Sequence, residues 1–199
     1  MHSWFYKILE DLPPVPQDLI DKAYNKINTE LEQMPSNSEQ KIDWKKITSD
    51  KIIVDGVEKI NAPNLAYSIE EEMRDWVHKN ITDRDIANIR IAATDTTAEK
   101  DTNGAHCDLS RNYTLLYLLE SGGPDHKTVF YHEHGEPVWR KNGDRCNDHS
   151  KLDIIDTLQV PLRKWTLITT RVLHGVRNIP TPRISIQVGL NSVESLGIE

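Results

Sequence analysis

The chain lacks an excess of basic charge. Its 199 residues include 24 lysines and arginines against 31 aspartates and glutamates, which gives a net charge of -7. Binding to nucleic acid or to an anionic membrane surface needs a basic face that neutralises phosphates. We therefore expect neither nucleic acid nor a membrane as a partner.

Long hydrophobic runs and cysteines are also scarce. No stretch approaches the ~20 apolar residues that span a bilayer, and the N-terminal residues do not match the pattern of a signal peptide. The two cysteines, Cys107 and Cys146, are too few for a disulfide framework. These features predict a soluble, cytoplasmic protein. Because no Pro/Gly/Ser-rich linker divides the chain, we expect residues 1–199 to form a single domain.

Residues 1–85 are predicted to form a helical buttress. A first amphipathic helix of ~18 residues follows Pro16, because apolar residues recur there every three or four positions: Ile20, Ala23, Tyr24, Ile27, Leu31 and Met34. The segment "KIIVDGVEKI" indicates a strand pair that turns at Asp55 and Gly56. A second helix is predicted to start at Ser68, which has capping-box spacing with Glu71.

From residue 86 the apolar period changes from helical to two. Six strand-like runs follow one another: "IANIRIAA", "YTLLYLLE", "TVFYHEH", "KLDIIDTLQV", "WTLITT" and "RISIQVGL". With short pieces around His106 and His174, the total reaches about eight strands. The sequence therefore predicts a mainly β, α+β fold, in which residues 86–190 form a β-sandwich or barrel and the buttress packs on one outer face.

A candidate metal site lies in "GAHCDLS" and far downstream in "RVLHGVR". His106 and Asp108 are two residues apart, so on a strand both side chains point to the same face. His174 ends a later strand that a folded-over sheet would bring beside the first. Two histidines and one carboxylate form the facial triad of non-haem Fe(II) sites, in which three coordination positions stay open.

A candidate anion site follows in "RISIQV". Arg183, Ser185 and Gln187 share one strand face, and the isoleucines and Val188 share the other. If the apolar face packs against the helices, Arg183 points into the barrel. A buried arginine needs a fixed anion, and its planar fork suits a carboxylate held by two hydrogen bonds.

In this order, His-x-Asp, a distal histidine and Arg-x-Ser resemble the Fe(II)/2-oxoglutarate-dependent dioxygenase superfamily. The resemblance covers residues 86–190 and implies a double-stranded β-helix (jelly-roll or cupin-like) barrel. "YTLLYLLESGG" is similar to the strand that follows His-x-Asp in the prolyl-hydroxylase-like branch, where a tyrosine directly before a leucine contacts the co-substrate. That tyrosine is Tyr117 in this sequence.

The resemblance implies a role for each matching residue. Iron would be bound by His106, Asp108 and His174, and the distal carboxylate of 2-oxoglutarate by Arg183, Tyr117 and Ser185. It also implies an O2-dependent enzyme that converts 2-oxoglutarate to succinate and CO2 and hydroxylates a prolyl, peptidyl or small-molecule substrate. Asp108 favours hydroxylation, because the related halogenases lack this carboxylate. Other polar candidates for the co-substrate are Thr94, Thr96 and Asn103.

Alternative interpretations remain open at this point. "YHEHGE" contains His132, His134 and Glu136, which resemble the ligand pattern of metal-dependent cupin enzymes that use no 2-oxoglutarate. A barrel that serves as a non-catalytic binding module is a second alternative. Arg183 could also lie on a solvated edge strand. The loop 135–150, which includes Trp139, Arg140, Lys141 and Arg145, is either a lid over the site or a solvated insertion.

Overall fold

The computed structural model describes residues 4–33, 51–54, 57–60, 64–68, 71–94, 105–108, 110–135, 145–146 and 148–198. Two α-helices lie in these ranges, α1 (Gln17–Gln33) and α2 (Glu71–Asn80). Neither described helix is long and apolar enough to cross a membrane. The described strands are β1 (Tyr6–Leu9), β2 (Lys51–Val54), β3 (Val57–Ile60), β4 (Asn64–Ser68), β5 (Ile86–Thr94), β6 (Ala105–His106), β7 (Tyr113–Ser121), β8 (Lys127–Glu133), β9 (Arg145–Cys146), β10 (Leu152–Leu158), β11 (Trp165–Thr169), β12 (Leu173–Arg177) and β13 (Arg183–Leu190).

The strands form two antiparallel sheets and a separate hairpin. The major sheet has the order β1-β11-β7-β13-β5-β4, and the minor sheet has the order β10-β8-β12-β6-β9. The chain passes repeatedly from one sheet to the other, at β5 to β6, β6 to β7, β7 to β8, β10 to β11, β11 to β12 and β12 to β13. This alternation produces the double-stranded β-helix that the sequence predicts.

The helices pack on the outer face of the major sheet. Every second residue of β13, including Ile186 and Val188, belongs to a core with Ile20 of α1 and Val77 of α2. These four side chains are almost completely buried. The alternate residues of β13, such as Arg183 and Ser185, therefore face the minor sheet, which is the orientation that the sequence pattern predicts.

A second core lies between the sheets. It consists of side chains from both sheets and the adjoining loop: Leu116, Leu118, Phe130, Leu158, Val160 and Ile168. The ring of Phe5 stacks on Phe130 with 5.3 Å between the ring centroids. This apolar layer fills one part of the space between the sheets, and the polar residues of the candidate site share the remainder.

The N-terminal residues form more sheet than the sequence predicts. Helix α1 and the hairpin at Val54 and Val57 are confirmed. Ser68, the predicted start of the second helix, is the last residue of β4, and α2 is described from Glu71; residues 69 and 70, where the first turn of the predicted helix falls, lie outside the described residues. Both β1 and β4 join edges of the major sheet, so residues 1–85 extend that sheet as well as covering it.

Gly122 shapes the turn that follows β7 and supports the candidate anion site. Its φ is +85°, and a Cβ atom there would lie 2.8 Å from Ile179 Cγ2 and 3.1 Å from Arg183 Cβ. Its carbonyl oxygen accepts a hydrogen bond from the Thr181 backbone N–H at 2.9 Å. Gly122 thus allows the loop between β12 and β13 to approach β7 closely.

We expect Gly122→Ala to lower the free energy of unfolding by about 3 kcal/mol, since it adds overpacking to left-handed strain. Gly135→Ala is the matched control, because Gly135 has a φ of +86° and no atom of a described residue lies within 4 Å of its missing Cβ. The control should lower the free energy of unfolding by about 1 kcal/mol, because it adds backbone strain without overpacking. Urea unfolding followed by circular dichroism measures both. Equal losses in the two variants would contradict the close packing at Gly122.

Candidate functional site

The two predicted histidine ligands are brought together. His106 on β6 and His174 on β12 are Cα partners on adjacent antiparallel strands. Directly opposed residues of such a pair point to the same face. Their ring centroids are 4.7 Å apart. Both side chains line the cavity between the two sheets.

His174 has the protonation pattern of a metal ligand. Its Nδ1 lies 2.9 Å from the backbone carbonyl oxygen of Val172. A carbonyl oxygen can only accept a hydrogen bond, so Nδ1 carries the proton and Nε2 keeps its lone pair. Burial lowers the pKa of His174, with the nearby Asp108 opposing that effect. The imidazole is therefore held in the neutral form that binds metals.

Asp108 lies in the same cavity, and its carboxylate is engaged by an arginine. The Asp108 backbone N–H donates to the carbonyl oxygen of Thr170 at 2.9 Å, which ties the segment after β6 to the end of β11. Asp108 Oδ2 accepts a hydrogen bond from Arg111 Nη2 at 2.6 Å. Both partners of this ion pair are largely buried.

The donor set fits Fe(II), although the described residues contain no group of three His, Cys, Asp or Glu side chains arranged to hold a metal ion. Two imidazoles and one carboxylate are the ligand types of the non-haem Fe(II) triad. A carboxylate has two oxygens and about four lone pairs. Asp108 can therefore bind Arg111 through one oxygen and offer the other toward the histidines.

The cavity has a volume of about 80 Å³ and is lined from both sheets. Its apolar wall includes Leu116 and Ile168. Its polar lining consists of Arg90, Thr94, His106, Asp108, Arg111, Thr114, Thr128, His174, Arg183, Ser185 and Gln187. Five of the six residues predicted for the site thus lie around one cavity.

Arg183 is a buried arginine in the lining of the cavity. It is 5% exposed, and its Nη1 has no hydrogen-bond partner among the described residues. Burial lowers the pKa of Arg183 to about 10, so the guanidinium stays charged at neutral pH. Its Cα partners are Thr94 on β5 and Ser121 on β7. A buried cation without a partner is costly, and an anion bound beside it would remove that cost.

Sequence reasoning missed two further arginines of the cavity. Arg90 Nε donates to Gln187 Oε1 at 2.9 Å, and Gln187 Nε2 donates to Ser185 Oγ at 3.1 Å. Arg111 Nε donates to Thr114 Oγ1 at 2.6 Å. The strand period did contain a signal for Arg90, because Arg90 and Thr94 occupy the same face of β5. Arg111 lies in a loop, where no such period applies.

The structure does not bring Tyr117 to the cavity with the other predicted site residues. Its ring packs on Trp165 in the core beneath the helices, with 4.9 Å between the centroids. Its cross-strand partner on β13 is Ile186, which faces the helices as well. Tyr117 therefore points to the face of the major sheet opposite the cavity. Burial raises the pKa of its hydroxyl, which contacts the backbone of Val15.

The two described histidines of the rival cupin-like pattern lie away from the cavity. His132 and His134 are exposed, and His134 Nε2 lies 3.0 Å from Asp153 Oδ2 on the neighbouring strand β10. Neither histidine lines the cavity. Glu136 lies outside the described residues, as do Thr96, Asn103, Trp139, Arg140 and Lys141. Arg145 belongs to β9, where it is the Cα partner of His106.

Comparison with solved structures finds similar chain courses at low identity. A prolyl-4-hydroxylase from Pseudomonas putida is 10% identical, with a TM-score of 0.46 over 96% of this chain and 94% of that chain. A 2OG-Fe(II) oxygenase family oxidoreductase from Burkholderia pseudomallei is 10% identical, with a TM-score of 0.38 over 84% and 81%. A cupin-like protein from Thermotoga maritima is 12% identical, with a TM-score of 0.27 over 67% and 69%. No protein-family profile matches the chain, and no curated protein matches it.

Gly189 makes room for the arginine that holds Asp108. A Cβ atom at Gly189 would lie 2.6 Å from Arg111 Cδ and 2.9 Å from Asn88 Oδ1. We expect Gly189→Ala to lower the free energy of unfolding by about 2 kcal/mol, since the new methyl group overpacks this region. Denaturant unfolding measures the loss.

A double-mutant cycle identifies Arg111 as the cause of that loss. Arg111→Ala removes the Cδ atom that the new methyl group would meet. In the Arg111→Ala background, Gly189→Ala should therefore lower the free energy of unfolding by about 1 kcal/mol less than it does in the wild type. Additive losses would mean that Gly189 does not make room for Arg111.

Proposed function

We propose that the protein is an Fe(II)- and 2-oxoglutarate-dependent oxygenase that acts as a hydroxylase. In the proposed reaction, one oxygen atom of O2 enters succinate as 2-oxoglutarate loses CO2, and the other becomes the hydroxyl group of the product. The observation that carries the proposal is the buried Arg183, whose Nη1 has no hydrogen-bond partner among the described residues, in the same cavity as His106, Asp108 and His174. A metal-binding barrel that uses no anionic co-substrate has no need for such a cation.

His106, Asp108 and His174 would hold the metal. Bound there, Fe(II) would supply open coordination positions for the 2-oxo acid and dioxygen. The Val172 carbonyl orients His174 by accepting from Nδ1. Arg111 does the same for Asp108 by holding one carboxylate oxygen. Hydrogen bonds of this kind fix the direction of metal ligands.

Arg183 would bind the distal carboxylate of 2-oxoglutarate. Its fork can donate two parallel hydrogen bonds to a carboxylate, which gives both charge and direction. Ser185 lies on the same face of β13, and Thr94 is the Cα partner of Arg183 on β5. Both hydroxyl groups line the cavity and can donate to the same anion. Leu116 and Ile168 form an apolar wall of the cavity, and charge–charge contacts are stronger in surroundings of low polarity.

Anaerobic addition of Fe(II) and 2-oxoglutarate to the purified protein tests the cofactor pair. We expect the weak visible charge-transfer band that appears when a 2-oxo acid chelates ferrous iron. His174→Ala should abolish the band and succinate formation, because it removes a ligand, while circular dichroism shows an unchanged fold. A wild-type protein that binds iron without the band would contradict the proposal.

A titration of the same band with 2-oxoglutarate tests the anchor. Arg183→Gln should weaken co-substrate binding about a hundredfold, since a buried charge-assisted pair is worth about 3 kcal/mol. Tyr117→Phe is the control and should leave the affinity unchanged, because its hydroxyl lies on the opposite face of the sheet. Unchanged affinity in Arg183→Gln would assign the co-substrate carboxylate elsewhere.

A further inference from the structure

We infer that the cavity contains a second anion subsite at Arg90, and that the substrate to be oxidised presents a carboxylate or phosphate group to it. The inference rests on the proposed function, in which Arg183 is already assigned to the co-substrate. It names a chemical class for the substrate, which the proposed function leaves open.

The first observation is an excess of positive charge. Three arginines line the cavity, Arg90, Arg111 and Arg183, and Asp108 is the sole carboxylate among the described lining residues. Asp108 forms its ion pair with Arg111. The charges of Arg90 and Arg183 are therefore not neutralised by a described lining residue. A polar cavity with two such cations is suited to ligands that carry more than one anionic group.

The second observation is the way Arg90 is held. Its Nε donates to Gln187 Oε1, and Gln187 is fixed in turn by its hydrogen bond to Ser185 Oγ. This arrangement uses one donor and leaves both terminal amino groups of Arg90 without a hydrogen bond to any described residue. Burial lowers the pKa of Arg90 to about 10, so its charge persists at neutral pH. The guanidinium is thus charged and oriented before any ligand binds.

The third observation is the position of Arg90 relative to Arg183. Arg90 is the Cα partner of Gln187, which lies four residues from Arg183 on β13. Four strand residues span about 13 Å, so the two arginines start from well-separated backbone positions. The proposed function assigns the 2-oxo acid end of 2-oxoglutarate to the metal and its distal carboxylate to Arg183, so neither anionic group of the co-substrate is assigned to Arg90.

Arg90 lines the same cavity as Asp108 and the two histidines. Burial is the largest cause of the lowered pKa at both Arg90 and Arg183, and at Arg90 the charges of Arg111 and Asp108 also contribute, in opposite directions. An anionic group held at Arg90 would therefore share the cavity with the residues proposed to hold the metal, and Arg90 would act on the choice of substrate as a specificity-determining residue.

Isothermal titration calorimetry with inorganic phosphate as the probe tests the subsite. The purified full chain is titrated with a chelator present, so that no metal ion binds the anion, and with excess 2-oxoglutarate. We expect phosphate binding that Arg90→Gln weakens about tenfold or more and that Arg90→Lys partly retains, because the lysine keeps the charge. Arg74→Gln, at an exposed position of α2, is the matched control and should bind phosphate like the wild type.

The outcomes separate the two proposals. Phosphate binding that is absent, or equal in the wild type and Arg90→Gln, would overturn the subsite. A loss of 2-oxoglutarate affinity in Arg90→Gln as large as that in Arg183→Gln would assign Arg90 to the co-substrate and would also overturn it. If the protein fails to bind 2-oxoglutarate, the proposed function fails, and an Arg90-dependent phosphate signal would still establish the anion subsite. Circular dichroism confirms that each variant is folded.

Discussion

The arrangement of the site depends on one constraint, which is that a guanidinium is buried between two sheets with no counter-charge from the part of the chain that the structure describes. Arg183 is 5% exposed, and burial depresses its pKa without removing its charge. The surrounding structure is organised to keep it there. The turn at Gly122 brings the β12–β13 loop against β7, and the apolar face of β13 is fixed by the helices. A cation held in place by packing loses little conformational entropy when it binds an anion, because its side chain is already ordered in the folded protein.

Asp108 is likewise held by its surroundings, and its one carboxylate would serve both Arg111 and the proposed metal. Arg111 holds Oδ2, and it can lie there because Gly189 has no side chain in its path. The ion pair orients Asp108, which a metal ligand needs. It would also compete with a metal for the carboxylate. Metal affinity at the proposed site would therefore be a balance between a pre-oriented ligand and the cost of sharing it with a cation.

Strand period predicts one face of the site and gives no prediction for another, and the difference is physical. In β13 polar and apolar residues alternate, so the period assigns Arg183 and Ser185 to the interior. In β7 the run "YTLLYLL" is buried on both faces, so it contains no such alternation. The expectation for Tyr117 therefore rests on the resemblance alone, and the structure places its ring on the opposite face of the sheet. Ser68 has the spacing of a helix cap and also pairs with β5, a tertiary contact that no local signal contains. Arg111 could not be found, since only the folded chain brings it to Asp108.

The net charge of the chain is negative, whereas the described lining of its cavity is positive. The two are compatible because the field of a charge decays with distance. At physiological ionic strength the field of surface carboxylates decays over about 8 Å. The cavity arginines act within hydrogen-bond distance, and in surroundings of lower polarity their attraction is much stronger. The acidic exterior would thus slow the approach of anions without weakening the binding that is proposed inside the cavity. Since buried charges are poorly screened, affinity for an anionic ligand should depend less on salt than affinity at a surface basic patch.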